Sequence, residues 1–134
     1  MKIFLNLTPH PVNIYKDGEL VLVIPTAGTI RLQERVEPVG SVAGIPLVAK
    51  STSGVSVLLS EDIPYLNGKA VVIVSRPVGE ALSRSPHLRT KLTRTLALKG
   101  FDVDTFVCPD TGEDSAQRDE NGNIFGVRRF CIFK

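Results

Sequence analysis

Three polar clusters in this chain carry the residue types that small-molecule recognition uses. The first is Asn6-Leu7-Thr8-Pro9-His10-Pro11, with one of only two histidines held between prolines. Asn6, Thr8 and His10 fall at alternate positions, so an extended segment would point all three to one side. Flanking prolines fix backbone, which suits a ligand-facing imidazole and equally a tight turn in which Asn6 or Thr8 satisfies local backbone groups. The second is Ser75-Arg76-Pro77, behind the apolar run Ala70–Val74 and just before a helical segment. An arginine at such a junction can grip a phosphate bidentately, or can pair with an acidic loop and tie it down. The third is Pro109-Asp110-Thr111-Gly112, a turn sequence followed by Asp114 and Arg118-Asp119, more polar than a turn requires.

Signatures of catalysis are missing. There is no phosphate-binding loop, no dinucleotide fingerprint, no nucleophile elbow and no zinc-protease motif. A His–carboxylate–Ser set built from His10, an aspartate and Ser75 has almost no specificity, given the free choice of partners. The carboxylates of the third cluster fit no calcium-loop spacing. Cys108 and Cys131 lack the short spacing of a metal site and read as structural thiols; a bridge between them requires neighbouring strands and an oxidising compartment. No metal and no cofactor are expected. His87, two residues past a helix cap, reads as solvent-facing. Asn6-Leu7-Thr8 matches a glycosylation sequon that the following proline weakens.

These clusters must be positioned by one domain. The chain has 134 residues, 43% of them hydrophobic and 22% charged, ordinary values for a globular fold. No apolar run reaches the roughly 20 residues of a membrane span, and the opening stretch is too short for a signal-peptide core, so a cytoplasmic protein is expected. Net charge is +2 but uneven. Residues 76–100 hold six basic side chains against Glu80, and residues 101–123 hold seven acidic ones against Arg118. Adjacent blocks of opposite sign pair with each other most simply.

The pattern is mostly short strands. Lys2–Leu7, Val12–Tyr15, Leu20–Ile24, Thr29–Val36, Ile45–Val48, Val55–Leu59, Ala70–Val74 and Asp104–Cys108 read as strands. Ser115–Arg118 is expected to form a hairpin with Ile124–Ile132. Asp17-Gly18, Asn67-Gly68 and Asn121-Gly122 supply turns, and Gly40, Gly44 and Pro46 punctuate a loop. One main helix is expected near 86–98: Ser85-Pro86 starts it, Gly100 stops it, and Leu88, Leu92 and Leu96 form its apolar stripe. Val78–Leu82 reads as a short preceding turn of helix. The expected fold is α+β, mainly antiparallel β, with about eight or nine short strands, a partly closed barrel being one way to cover their edges.

Taken in order, NLTPH, the proline–small–glycine turn of IPTAG, GIP, VIVSRPV, D-x-F-V-C-PDTG and R-D-x-NG-x-I-x-GVR span essentially the whole chain. That ordered set resembles an uncharacterised family of small bacteriophage and prophage proteins, in which the stretch Ser83–Gly100 is shorter. The resemblance implies a viral setting, and with it a protein that binds and neutralises something of the host.

The resulting expectation is a non-enzymatic, homo-oligomeric protein of the host bacterial cytoplasm. It would sequester a nucleotide-derived immune signal, a cyclic oligonucleotide or ADP-ribose derivative. Its ligand-binding residues would be Asn6, Thr8, His10, Ser75, Arg76, Asp110, Thr111, Arg118 and Arg128, with Arg129 as a further phosphate-binding candidate. A protein-interaction or virion-associated role, resting on a patch of Phe125, Phe130 and Phe133, is the alternative. A small hydrolase of the same ligands ranks third. Nucleic acid ranks below these, since the basic helix has no interleaved aromatics and an acidic segment follows it. No membrane partner is expected.

Overall fold

The computed structural model describes residues 2–60 and 69–133. Its architecture is α+β and mainly β, with ten strands and two helices among those residues. In chain order these are β1 (Lys2–Asn6), β2 (Val12–Lys16), β3 (Glu19–Ile24), β4 (Gly28–Val42), β5 (Ile45–Leu59) and β6 (Lys69–Ile73). Then come α1 (Arg76–Arg84), α2 (Pro86–Leu98), β7 (Asp102–Pro109), β8 (Ala116–Arg118), β9 (Ile124–Val127) and β10 (Phe130–Cys131).

The central sheet has the order β1-β6-β7-β10. Its first three strands are mutually parallel, and β10 closes the edge antiparallel to β7. Parallel strands need crossovers, and α1 with α2 supplies the one between β6 and β7. The run Ala70–Val74 is apolar throughout because it is covered on both faces: Ala70, Val72, Ile73 and Val74 are all essentially inaccessible. On one face α1 and α2 pack Val78, Leu82, Leu88, Leu92 and Leu96 against Leu5, Val72 and the base of the β4–β5 hairpin. A smaller cluster of Val12, Ile24, Ile73, Val107 and Val127 joins this sheet to the second, β3-β2-β9-β8.

Helix α2 follows its sequence cues closely. The Ser85 hydroxyl accepts from the Leu88 amide at 3.3 Å, and Pro86 occupies the first turn. At the other end Gly100 adopts φ 95°, its amide donates to Ala97, and the Phe101 amide donates to Leu96 at 2.9 Å. That pair of bonds is a Schellman closure, which requires the left-handed residue glycine supplies. Arg89, Lys91 and Arg94 are exposed, as is His87.

Four expectations change. Val78–Leu82 belongs to a complete helix, because Pro77 is accommodated in the first turn of α1 and Pro86 only separates it from α2. The expected loop around Gly40, Gly44 and Pro46 is strand instead, in a single hairpin of two 15-residue strands. Ala43 and Gly44, at φ 51° and 77°, make its two-residue turn, and the register shift between Pro38 and Gly40 absorbs the extra residue. The final strand is broken at Arg128-Arg129: β9 pairs with β2 and β8, whereas β10 crosses to β7. The buried Ser115 hydroxyl makes that corner, accepting from the Arg128 and Arg129 amides at 3.0 and 3.1 Å. The phenylalanine patch of the interaction reading is not assembled either. Phe130 and Phe133 are part-buried against the two cores, and Phe125 alone is widely exposed. The turn at Asn67-Gly68 lies outside the described residues.

Candidate functional site

All three parallel strands end at the same place. After β1 the chain runs into Thr8–Asn13, after β6 into Ser75-Arg76, and after β7 into Pro109–Thr111, and these segments line one cleft of about 410 Å³. Its remaining wall comes from β9, through Ile124, Phe125, Gly126 and Val127. The volume falls in the range of small-molecule sites, and the carboxyl edge of parallel strands is where open sheets place them.

Five of the nine expected ligand residues line this cleft: Thr8, His10, Ser75, Arg76 and Thr111. Asn6 does not, because it is the buried knot that shapes the rim. Its side-chain amide donates to the His10 carbonyl at 2.9 Å and to the Ile24 carbonyl at 3.1 Å. Its side-chain oxygen accepts from the Thr8 amide at 3.0 Å and the Thr8 hydroxyl at 2.7 Å. The His10 carbonyl lies 2.9 Å from the same Thr8 hydroxyl and shares its single proton with the Asn6 oxygen. The segment therefore bends after Asn6 instead of continuing extended, which separates the three side chains: Asn6 and Thr8 turn into the fold, and His10 stays exposed on the rim.

Arg76 opens α1, and its Nε donates to Glu80 one turn later at 3.1 Å. Its side chain is 73% exposed, and among the described residues its two Nη groups have no hydrogen-bond partner. The pairing with the acidic loop does not form. That loop is instead held by Arg129, whose Nε binds Asp110, while Asp110 also accepts from the Gly112 amide at 3.0 Å. The Arg129 bond is the main reason the Asp110 carboxyl is held below its ordinary range. Ser75 is the N-cap of α1, but its hydroxyl makes no capping bond, and the first turn carries no acidic residue. Pro77 has no amide proton and the Gly79 amide donates to the Ser75 carbonyl at 2.9 Å, so the anion-attracting features of this helix end are its dipole and the Arg76 guanidinium.

The other two arginines lie elsewhere. Arg118 donates to the Gly122 carbonyl at 2.7 Å and closes its own hairpin turn. Arg128 borders a separate cleft with Tyr15, Lys16 and Val21. Sequence reasoning missed Asn13 and the use of Phe125 as cleft wall. Asn13 donates to the Phe125 carbonyl at 3.0 Å, and the Phe125 ring sits edge-on to Tyr15 at 5.3 Å between centroids. Gly126 lets the Tyr15 ring approach, since a Cβ there would come within 2.3 Å of it. An Asn inside an alternating strand and a Phe-Gly pair beyond a turn were the available signals.

Cys108 and Cys131 sit directly opposite each other on β7 and β10 and are both unbridged. Burial, with Cys131 and Glu80 adding to it, pushes the Cys108 thiol up to about 12, so it is protonated and unreactive at neutral pH. Among the described residues no group of three or more His, Cys, Asp or Glu side chains can hold a metal ion, and no helix is long and apolar enough to cross a membrane. No protein family, curated protein or solved structure matches this chain.

Proposed function

We propose that this chain is a phage-encoded, non-catalytic binding protein that captures a small nucleotide-derived signal of its host in the cleft at the ends of β1, β6 and β7. The observation that carries the reading is the composition of that cleft. Its lining includes Arg76, the uncapped start of α1 and Ser75 and Thr111, which suit a phosphate, together with Phe125, Ile124 and Val127, which suit a base face. His10 and Asn13, also in the lining, can serve as donors or acceptors for ribose or base edges. Capture is favoured over turnover because no carboxylate lines the cleft to orient His10, and among the described residues no hydrogen bond joins His10 to Ser75; the nearby carboxylates Asp110 and Glu80 are each engaged with an arginine.

The test is calorimetric titration and thermal shift with cyclic dinucleotides, cyclic trinucleotides and ADP-ribose derivatives. One of these is expected to bind and to raise the melting temperature. Arg76→Ala should then weaken binding about 10- to 100-fold, the loss of one charge-assisted contact, with little change in melting temperature. Arg118→Ala should leave affinity unchanged. Absence of any shift at millimolar ligand would overturn the proposal. Chromatography of the incubated ligand separates capture, which returns it intact, from hydrolysis.

A further inference from the structure

Two surfaces of this chain are built like interior and left outside. The first is the far end of the β4–β5 hairpin. Beyond the pair Gln33–Gly54 every residue of both strands is exposed, so about ten residues per strand project roughly 30 Å as an arm. Residues 38–49 of that arm contain no charged side chain, and Val36, Val39, Val42, Ile45, Leu47 and Val48 are 42–68% exposed. Leu47 and Val48 are adjacent on one strand and so face opposite sides, which makes both faces of the arm apolar. A single apolar face would suit packing on this chain's own body; two exposed apolar faces suit insertion into something else.

The second surface is β3. It is the outer strand of its sheet, and Leu20, Val21, Leu22 and Val23 are 40–55% exposed in succession. The strand has none of the charges or prolines that normally protect an edge within Leu20–Ile24. Its exposure also shows that the arm of the same molecule does not cover it.

The total surface sets the scale of what is left uncovered. The chain exposes 9109 Å², whereas a compact monomer of its mass exposes about 6,900 Å². The excess, about 2,200 Å², is well above the roughly 800 Å² that each partner contributes to an ordinary interface, and is enough for a chain to use two surfaces at once. Charge narrows the choice of partner. The charged residues at the arm's base pair among themselves, Arg35 with Glu37 at 2.8 Å and Lys50 with Glu34 at 3.8 Å, so the arm attracts neither nucleic acid nor an anionic lipid surface.

We infer that the partner is a second copy of this chain, and that the apolar arm of each copy covers the exposed β3 of its neighbour. The two surfaces match in chemistry, and each chain carries one of each, so reciprocal exchange closes a ring of copies with neither surface left over. Pro38 and Pro46 remove backbone donors from the arm, so the contact is made by side-chain faces and does not continue as an endless sheet. The inference does not depend on the cleft reading: it needs no ligand and uses none of the cleft residues.

Light scattering and sedimentation on the full chain test it, over about 1–100 μM, the range in which an interface of this size holds. The wild type is expected at a whole multiple of 14.6 kDa, two copies or more. The double variants Val42→Lys/Ile45→Lys, on the arm, and Val21→Lys/Val23→Lys, on β3, should each run as monomers, with far-ultraviolet dichroism unchanged because all four side chains are exposed. Mixing the two variants should restore a dimer, since one supplies an intact β3 and the other an intact arm. A monomeric wild type overturns the proposal, as does an assembly that survives either double variant. A mixture that stays monomeric rules out the arm-to-β3 contact and assigns the assembly to other surfaces.

Discussion

At the scale of single residues, Asn6 does more for the cleft than any residue that lines it. It satisfies two carbonyls, one amide and one hydroxyl at the point where β1 ends, all of them buried except the part-buried bond to the His10 carbonyl. Asn6→Ala would remove the side-chain partner of the Ile24 carbonyl and of the Thr8 amide, while the Thr8 hydroxyl and the His10 carbonyl keep each other, and each orphaned buried group costs about 1–3 kcal/mol. The expected loss is about 3 kcal/mol or more, read as a melting temperature lower by about 10 °C. Asn6→Asp should not rescue it, because a carboxylate would face two carbonyl oxygens. A loss below about 1 kcal/mol for Asn6→Ala would show that the rim holds without this knot. The expectation of a ligand-facing Asn6 rested on alternation in an extended segment; the prolines and the side-chain amide together bend the chain, and alternation does not survive a bend.

Asp110 shows a second residue-scale effect, a carboxylate held in its charged form by its neighbours. Its folded-state pKa is lowered from 3.8, chiefly by the Arg129 hydrogen bond and then by the Gly112 amide. A depressed carboxylate contributes stability that is present above the unfolded pKa and lost as pH falls through the folded one. The loop should therefore keep its geometry at neutral pH and release only below about pH 4, inside the acid limb. In Arg129→Ala the carboxyl should move back toward 3.8, which a carbon-detected titration of Asp110 would report. No movement would mean that Arg129 is not what holds it. The pair is exposed, so the effect on global stability should be small.

At the scale of elements, the decisive contact is α1 against β7. Gly79 lies where the helix crosses the sheet, and a Cβ there would come within 2.5 Å of the Cys108 sulfur and 2.9 Å of the Phe133 ring. Alanine is the better helix former by up to about 1 kcal/mol. Overpacking costs about 1–3 kcal/mol, and although a cleft of about 80 Å³ lies beside Gly79, Cys108 and Phe133, a 2.5 Å approach to the buried Cys108 sulfur needs a larger shift than a few tenths of an ångström. The clash should win: Gly79→Ala is expected to lower the melting temperature by several degrees, and a rise would show that α1 can lift away from the sheet. The same close approach fixes the start of α1 relative to β7, and hence Ser75 and Arg76 relative to Thr111. Local signals served the elements unevenly. The cap, proline, leucine stripe and Schellman glycine of α2 are all short-range, and its span follows from them. The turn at Asp17-Gly18 is equally local. The β4–β5 arm was harder to read, because glycines and prolines that normally punctuate a loop here occupy a bulge, a two-residue turn and the strands of the hairpin itself.

At the scale of the whole molecule, composition, the strand-rich pattern, the main helix and most turns were determined by the sequence alone, because each depends on neighbours a few positions apart. Strand partnership was not. Nothing local shows that β1, β6 and β7 lie parallel and end together, or that β9 and β10 leave for different sheets. The cleft is a consequence of that partnership: Thr8, Ser75 and Thr111 are far apart along the chain and meet because three strands share a direction. The residue types that the proposed binding would use were therefore visible at the outset, Arg76 among them. Tertiary structure sorted them, bringing five of nine to one cleft, setting Asn6 behind its rim and leaving Asp110, Arg118 and Arg128 to other contacts. Pattern along a chain records which groups want to be buried or paired; only the packing of distant segments decides which groups are neighbours.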